Sequence, residues 1–74
     1  MFKEGSMEQD GRIFRYEIKH FDEPSEYGID GGRISKLEIM DGERTVAKYE
    51  RGWDIRPSSK SAKASVDLLM KKYN

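Results

Sequence analysis

The segment RISKLEIMDGERTVAKYE, residues 33–50, decides the fold. Two runs of alternating apolar and polar residues flank Asp41-Gly42, a dipeptide that accepts the positive φ angles of a tight reversal. Residues 33–40 and 43–50 therefore read as the two strands of an antiparallel hairpin. A strict two-residue turn at Asp41-Gly42 sets Leu37 opposite Val46. A three-residue loop with a bulge sets Ile39, Leu37 and Ser35 against Thr45, Ala47 and Tyr49. The second register is preferred, because it extends one apolar, odd-numbered face through Trp53 and Ile55. Gly52 is expected to kink the strand on the way.

Upstream, RIFRYEIKHF (12–21) puts Phe14, Tyr16, Ile18 and His20 on one side of an extended chain, with Ile13, Arg15, Glu17 and Lys19 on the other. That period of two predicts a half-buried strand. Asp10-Gly11 before it is a second reversal signal, so Ser6–Gln9 is expected to fold back as a short first strand. Between this strand and the hairpin, FDEPSEYGIDGG (21–32) carries Pro24, Gly28, Gly31 and Gly32, and reads as a loop with flexible glycines. Downstream, Pro57-Ser58-Ser59 supplies a break and an N-cap. Ala62, Val66, Leu69, Met70 and Tyr73 then recur at helical spacing within an arc of about 100°.

The expected architecture is α+β: a three- to four-stranded antiparallel meander with one C-terminal helix packed on one face. A single small domain spans 1–74, with the sheet over about 6–56, the loop at 21–32 and the helix over about 59–73. Composition agrees. At 74 residues there is no room for a second core. Phe, Ile, Leu and Val number 14, near the lower limit for a folded chain, but 14 basic and 14 acidic residues cancel and remove the self-repulsion that keeps such chains open.

No cysteine is present, which excludes disulfides and thiolate chemistry. No apolar run is long enough for a membrane span or a secretory segment, and a cytoplasmic location is expected. One His and no Cys cannot assemble a zinc set, and no phosphate-cradling glycine motif opens a helix. No nucleophile stands beside a base with any specificity. The expectation is a non-enzyme without metal or cofactor, too small to enclose a pocket of several hundred cubic ångströms.

Charge placement is more informative than the total. Residues 1–54 hold 9 basic and 13 acidic groups, whereas 55–74 hold 5 and 1. Lys60 and Lys63 fall in the first helical turn, where the macrodipole favours acids, and Arg56 lies just upstream. Together with the aromatic Tyr49 they form a candidate nucleic-acid surface. The acidic loop, with Asp22, Glu23, Glu26 and Asp30 around Tyr27, and the segment carrying Arg51 and Trp53 are the candidate protein-binding surface, since Trp, Tyr and Arg dominate interface hot spots. Trp53 also reads as a core anchor whose indole N–H bonds a backbone carbonyl. Leu68 projects about 100° from the apolar arc and is a candidate dimer contact.

Tyr27-Gly28-Ile29-Asp30-Gly31-Gly32-Arg33 and Arg51-Gly52-Trp53-Asp54, within residues 16–74, resemble a family of small uncharacterised proteins of Gram-positive bacteria and their phages. The resemblance implies a genomic setting and no particular activity. The strand and helix order is also similar to the PC4-like single-stranded-DNA-binding domains, which use basic and aromatic residues on sheet strands. Here Arg15, Lys19, Lys36, Arg44 and Lys48 are interleaved with Glu17, Glu38 and Glu50, and a mixed face repels phosphate as much as it attracts it. The leading expectation is a non-catalytic binding protein, encoded by a phage or mobile element, that modulates a host protein such as a defence or regulatory factor by surface contact. The alternatives are a single-stranded nucleic-acid binder and a homodimeric assembly protein.

Overall fold

The computed structural model describes residues 1–74. Strands β1 (Phe2–Gln9), β2 (Arg12–His20), β3 (Ile34–Asp41), β4 (Arg44–Glu50) and β5 (Trp53–Ile55) form one antiparallel meander in chain order, and α1 (Lys60–Tyr73) closes one face. The α+β class and the terminal helix are as expected; the sheet has five strands rather than three or four.

Both extra pieces of sheet have local causes. At Asp10-Gly11 both residues take positive φ (53° and 80°), as a type I′ turn requires, and Gln9 pairs Arg12 directly. The register then runs without a bulge to Phe2↔Lys19, so β1 is twice the expected length. Backbone pairing carries it where the side chains are too polar to signal a strand. The fifth strand arises because Gly52 does not kink a continuous strand. The chain reverses over Glu50–Gly52, with the Glu50 N–H bonded to the Gly52 carbonyl (2.9 Å) and Arg51 at φ 58°. A left-handed Arg is uncommon, and no turn dipeptide announces this corner.

The decisive hairpin also differs in register. Its loop is Gly42-Glu43, with Asp41 paired to Arg44, and positive φ falls only on Gly42. A bulge at Ile39/Met40 then sets Ile39 opposite Ala47 and Leu37 opposite Tyr49, two residues from the preferred register. Parity survives from Leu37 to Trp53, but the expected extension through Ile55 does not, because the bulge after the β4–β5 corner pairs Ile55 with Lys48. Phe14 and Ile18 of β2, Ile34, Leu37 and Ile39 of β3, and Ala47 and Tyr49 of β4 pack with Val66 and Leu69 of α1 in one core. Trp53 is half-buried at its rim, and Ile55 is exposed.

The helix begins as read: Ser59 Oγ accepts from the Ala62 N–H at 3.1 Å. Ser65, unremarked on the apolar arc, is fully buried, its hydroxyl satisfied by the Ser61 carbonyl (2.9 Å). The Tyr16 ring lies across Gly5, where a Cβ would stand 2.8 Å from the phenolic oxygen. Burial, followed by the Tyr73 hydroxyl nearby, raises the Tyr16 pKa above its ordinary value. His20 is buried and stacks on Tyr73 at 5.7 Å.

Residues 21–33 are not a free excursion. Ile29, in a 3-10 turn over Ile29–Gly31, is buried in the core, and the ends are tied by the Phe21 N–H to the Arg33 carbonyl (2.8 Å). Asn74, the C-cap of α1, clasps the loop: its Oδ1 accepts from the Ile34 N–H (2.9 Å) and its Nδ2 donates to the Ile29 carbonyl (3.0 Å). Gly28 and Gly32 are therefore packing residues rather than flexible ones. A Cβ on Gly28 would lie 1.9 Å from the Gly32 oxygen, and one on Gly32 would strike the Asn74 side chain.

Two stability predictions follow from this geometry. Gly28→Ala destabilises by more than about 2 kcal/mol in urea denaturation, because backbone must move, whereas Gly52→Ala is neutral or stabilises by up to about 1 kcal/mol, since its Cβ meets open space at an ordinary φ. Asn74→Ala loses two side-chain bonds of about 0.5–1.5 kcal/mol each. Its signature is faster hydrogen exchange at Ile34, with protection in β1 and β2 falling no further than global stability does.

Candidate functional site

The loop and the β4–β5 corner, read separately in the sequence, meet at one end of the sheet. Leu37 pairing places Tyr49 on the core face, and its hydroxyl reaches out to the Tyr27 carbonyl at 3.0 Å. The Arg51 N–H bonds the Ser35 carbonyl (3.3 Å), and its guanidinium stands 5.5 Å from the centre of the Tyr27 ring. Trp53 pairs with Tyr49 across β4 and β5, the rings meeting edge to face at 5.3 Å and 75°. Arg56 continues the series 5.8 Å from the indole. Three aromatic residues, Tyr27, Tyr49 and Trp53, are thus linked in series, with Arg51 over the first ring and Arg56 over the last.

Trp53 is half-buried and packs on the core, whereas Tyr27 is 51% exposed and is held through its backbone carbonyl. The expected indole hydrogen bond to a backbone carbonyl is not made; at the half-buried rim position the Trp53 N–H is not a fully buried, unpartnered group. Asp22, Glu23, Glu26 and Asp30 are all exposed around Tyr27, and none forms an ion pair. Asp30 and Gly31 take positive φ (53° and 73°), which turns the chain back toward Ile34.

Of the nucleic-acid set, Arg56 lies beside the start of α1, but Tyr49 does not join it as a stacking surface. Tyr49 is 7% exposed and its hydroxyl is engaged, so it offers no face for a base to stack on. Lys60 and Lys63 are exposed at the N-terminal end of α1, with no acid in that turn, away from the Tyr27 corner. Leu68 is 45% exposed, as its position off the apolar arc predicts.

The largest concavity described, about 570 Å³, is an open groove rather than an enclosed pocket. It lies across β1, β2 and β3 on the face α1 leaves uncovered. There the register lines up Glu4, Glu17 and Glu38 directly across three strands, with Lys48 next and Arg15 in the adjoining row. Like charges opposite one another are unfavourable, a pattern visible only once register is known. No group of three or more His, Cys, Asp or Glu side chains is placed to hold a metal ion, and no helix is long and apolar enough to cross a membrane. Sequence reading also missed Arg12 and Asp41, which bridge the two hairpin ends at 2.9 Å on the surface. Their partnership depends on β2 lying beside β3.

Comparison with known proteins adds membership without chemistry. No curated protein and no solved structure matches the chain. The model of one protein family, a domain of unknown function designated DUF7678, matches residues 1–74 in full, and the chain belongs to that family.

Proposed function

We propose that this chain is a non-catalytic binding protein that occupies a surface of another protein through the Tyr27–Arg51–Trp53 corner, in the setting of a phage or mobile element acting on a host factor. The observation that carries the reading is the convergence of two distant segments into one rigid, half-exposed series of rings and cations. Trp53, packed against the core, loses little conformational entropy on docking. Unpaired carboxylates at Asp22, Glu23, Glu26 and Asp30 supply a rim that steers a basic partner and selects its orientation.

Photo-crosslinking from benzoylphenylalanine at position 27 in source cells tests this. A protein adduct is expected, and Arg51→Glu, an exposed change, reduces its yield at least tenfold, as loss of a hot-spot contact of about 2 kcal/mol implies. Lys63→Glu leaves it unchanged. An adduct carrying nucleic acid, or one indifferent to Arg51→Glu, overturns the proposal.

A further inference from the structure

The two edges of the sheet are finished differently. β5 is three residues long, meets β4 at a bulge and is followed by Pro57 within two residues, all devices that discourage further pairing. β1 has eight residues, no bulge and no proline. Met1 and His20 exchange both backbone hydrogen bonds (2.7 and 2.9 Å), which fixes the phase of the ladder. In an unbroken antiparallel register the bonded pairs alternate, so Lys3, Gly5, Met7 and Gln9 face β2. The N–H and C=O groups of Phe2, Glu4, Ser6 and Glu8 point outward and are unpaired.

We propose that the outer edge of β1 pairs antiparallel with β1 of a second copy of this chain, making a continuous ten-stranded sheet about a twofold axis. The proposal stands apart from the Tyr27 corner, which lies at the opposite edge. Hydrogen-bonded pairs must join outward-facing residues, and this restricts the register to even partners. Of these, only pairing Glu4 with Ser6 of the second copy, and Phe2 with its Glu8, keeps acids apart while using all four positions. Sliding by two residues either way puts Glu4 on Glu4 or Glu4 on Glu8, both repulsive.

That register also resolves the acidic row. Beyond Glu17 and Glu4 the row continues into Ser6 and then Arg15 of the second copy, because Ser6 pairs Arg15 within each chain. With strands about 4.8 Å apart, Glu4 and that Arg15 are about 10 Å apart at Cα, within their combined reach over the small Ser6 side chain. The twofold axis makes the pairing twice. Leu68 lies on the same helix stripe as Ser61, whose hydroxyl donates to Asp10 Oδ2 (2.8 Å) at the β1–β2 turn, so its exposed side chain is on the β1 side of α1.

Sedimentation equilibrium of the full chain tests the edge. The wild-type chain is expected to dimerise. Ser6→Pro removes only an outward N–H, so it weakens association at least tenfold while the thermal transition of the monomer is retained. Glu4→Arg also weakens it at least tenfold, and adding Arg15→Glu restores it. A wild-type chain that is monomeric at millimolar concentration, a Ser6→Pro chain that dimerises as tightly as wild type, or a charge swap that fails to restore association overturns the proposal.

Discussion

One helix has to cover a five-stranded sheet, and the rest of the structure answers to that constraint. Five strands at about 4.8 Å spacing are about 19 Å across, whereas a helix with its side chains is about 10–12 Å wide. The helix crosses the sheet, contacting β1, β3 and β4 and burying Val66 and Leu69 in the shared core, but it cannot cover the full width. The flanks need other cover. Tyr16 roofs Gly5 on the β1 side, and Trp53 leans on Tyr49 toward β5. Ile29 adds the remaining apolar contact, which is why residues 21–33 are drawn into the core and cannot wander. The clasp by Asn74 and the close approach of Gly28 to Gly32 are consequences: a loop that fills a core must be as closely packed as the core.

How much was legible follows from the same constraint. Alternation in 12–20 and 34–41 and the helical period of 60–73 are local signals, and each element formed within about a residue of its expected bounds. Ser59 and Asp10-Gly11 are equally local and took the expected roles. Register was not local. Whether Leu37 meets Ala47 or Tyr49 depends on which two residues make the turn and where the bulge falls. Both registers leave the same face apolar, so hydrophobic pattern could not separate them. β5 was hidden because its corner uses Arg51 at positive φ, supported by hydrogen bonds to Ser35 and within the turn rather than by a turn dipeptide.

The candidate corner shows the limit from the other side. Each of Tyr27, Arg51 and Trp53 was noticed for its residue type, yet nothing in the chain order joins positions 27 and 51. The connection runs through Tyr49, a core residue whose hydroxyl leaves the core to hold the Tyr27 backbone. The ring thus packs inside while its polar tip organises the surface. The glycines misread as flexible belong to the same arrangement, because Gly28 follows Tyr27 directly and fixes where that side chain emerges.

The corner and the bare β1 edge lie on opposite sides of the sheet, and this separation has a functional consequence. A chain that used both would present two identical ring-and-cation corners at the far ends of one continuous sheet, related by the twofold axis. The second contact with a dimeric or repetitive partner then becomes intramolecular, and avidity rises without any new residue at the corner. A small domain cannot enlarge its corner without exposing more of an already sparse apolar set. Doubling the sheet extends its reach while leaving each core unchanged, and it places the acidic row of one copy beside Arg15 of the other.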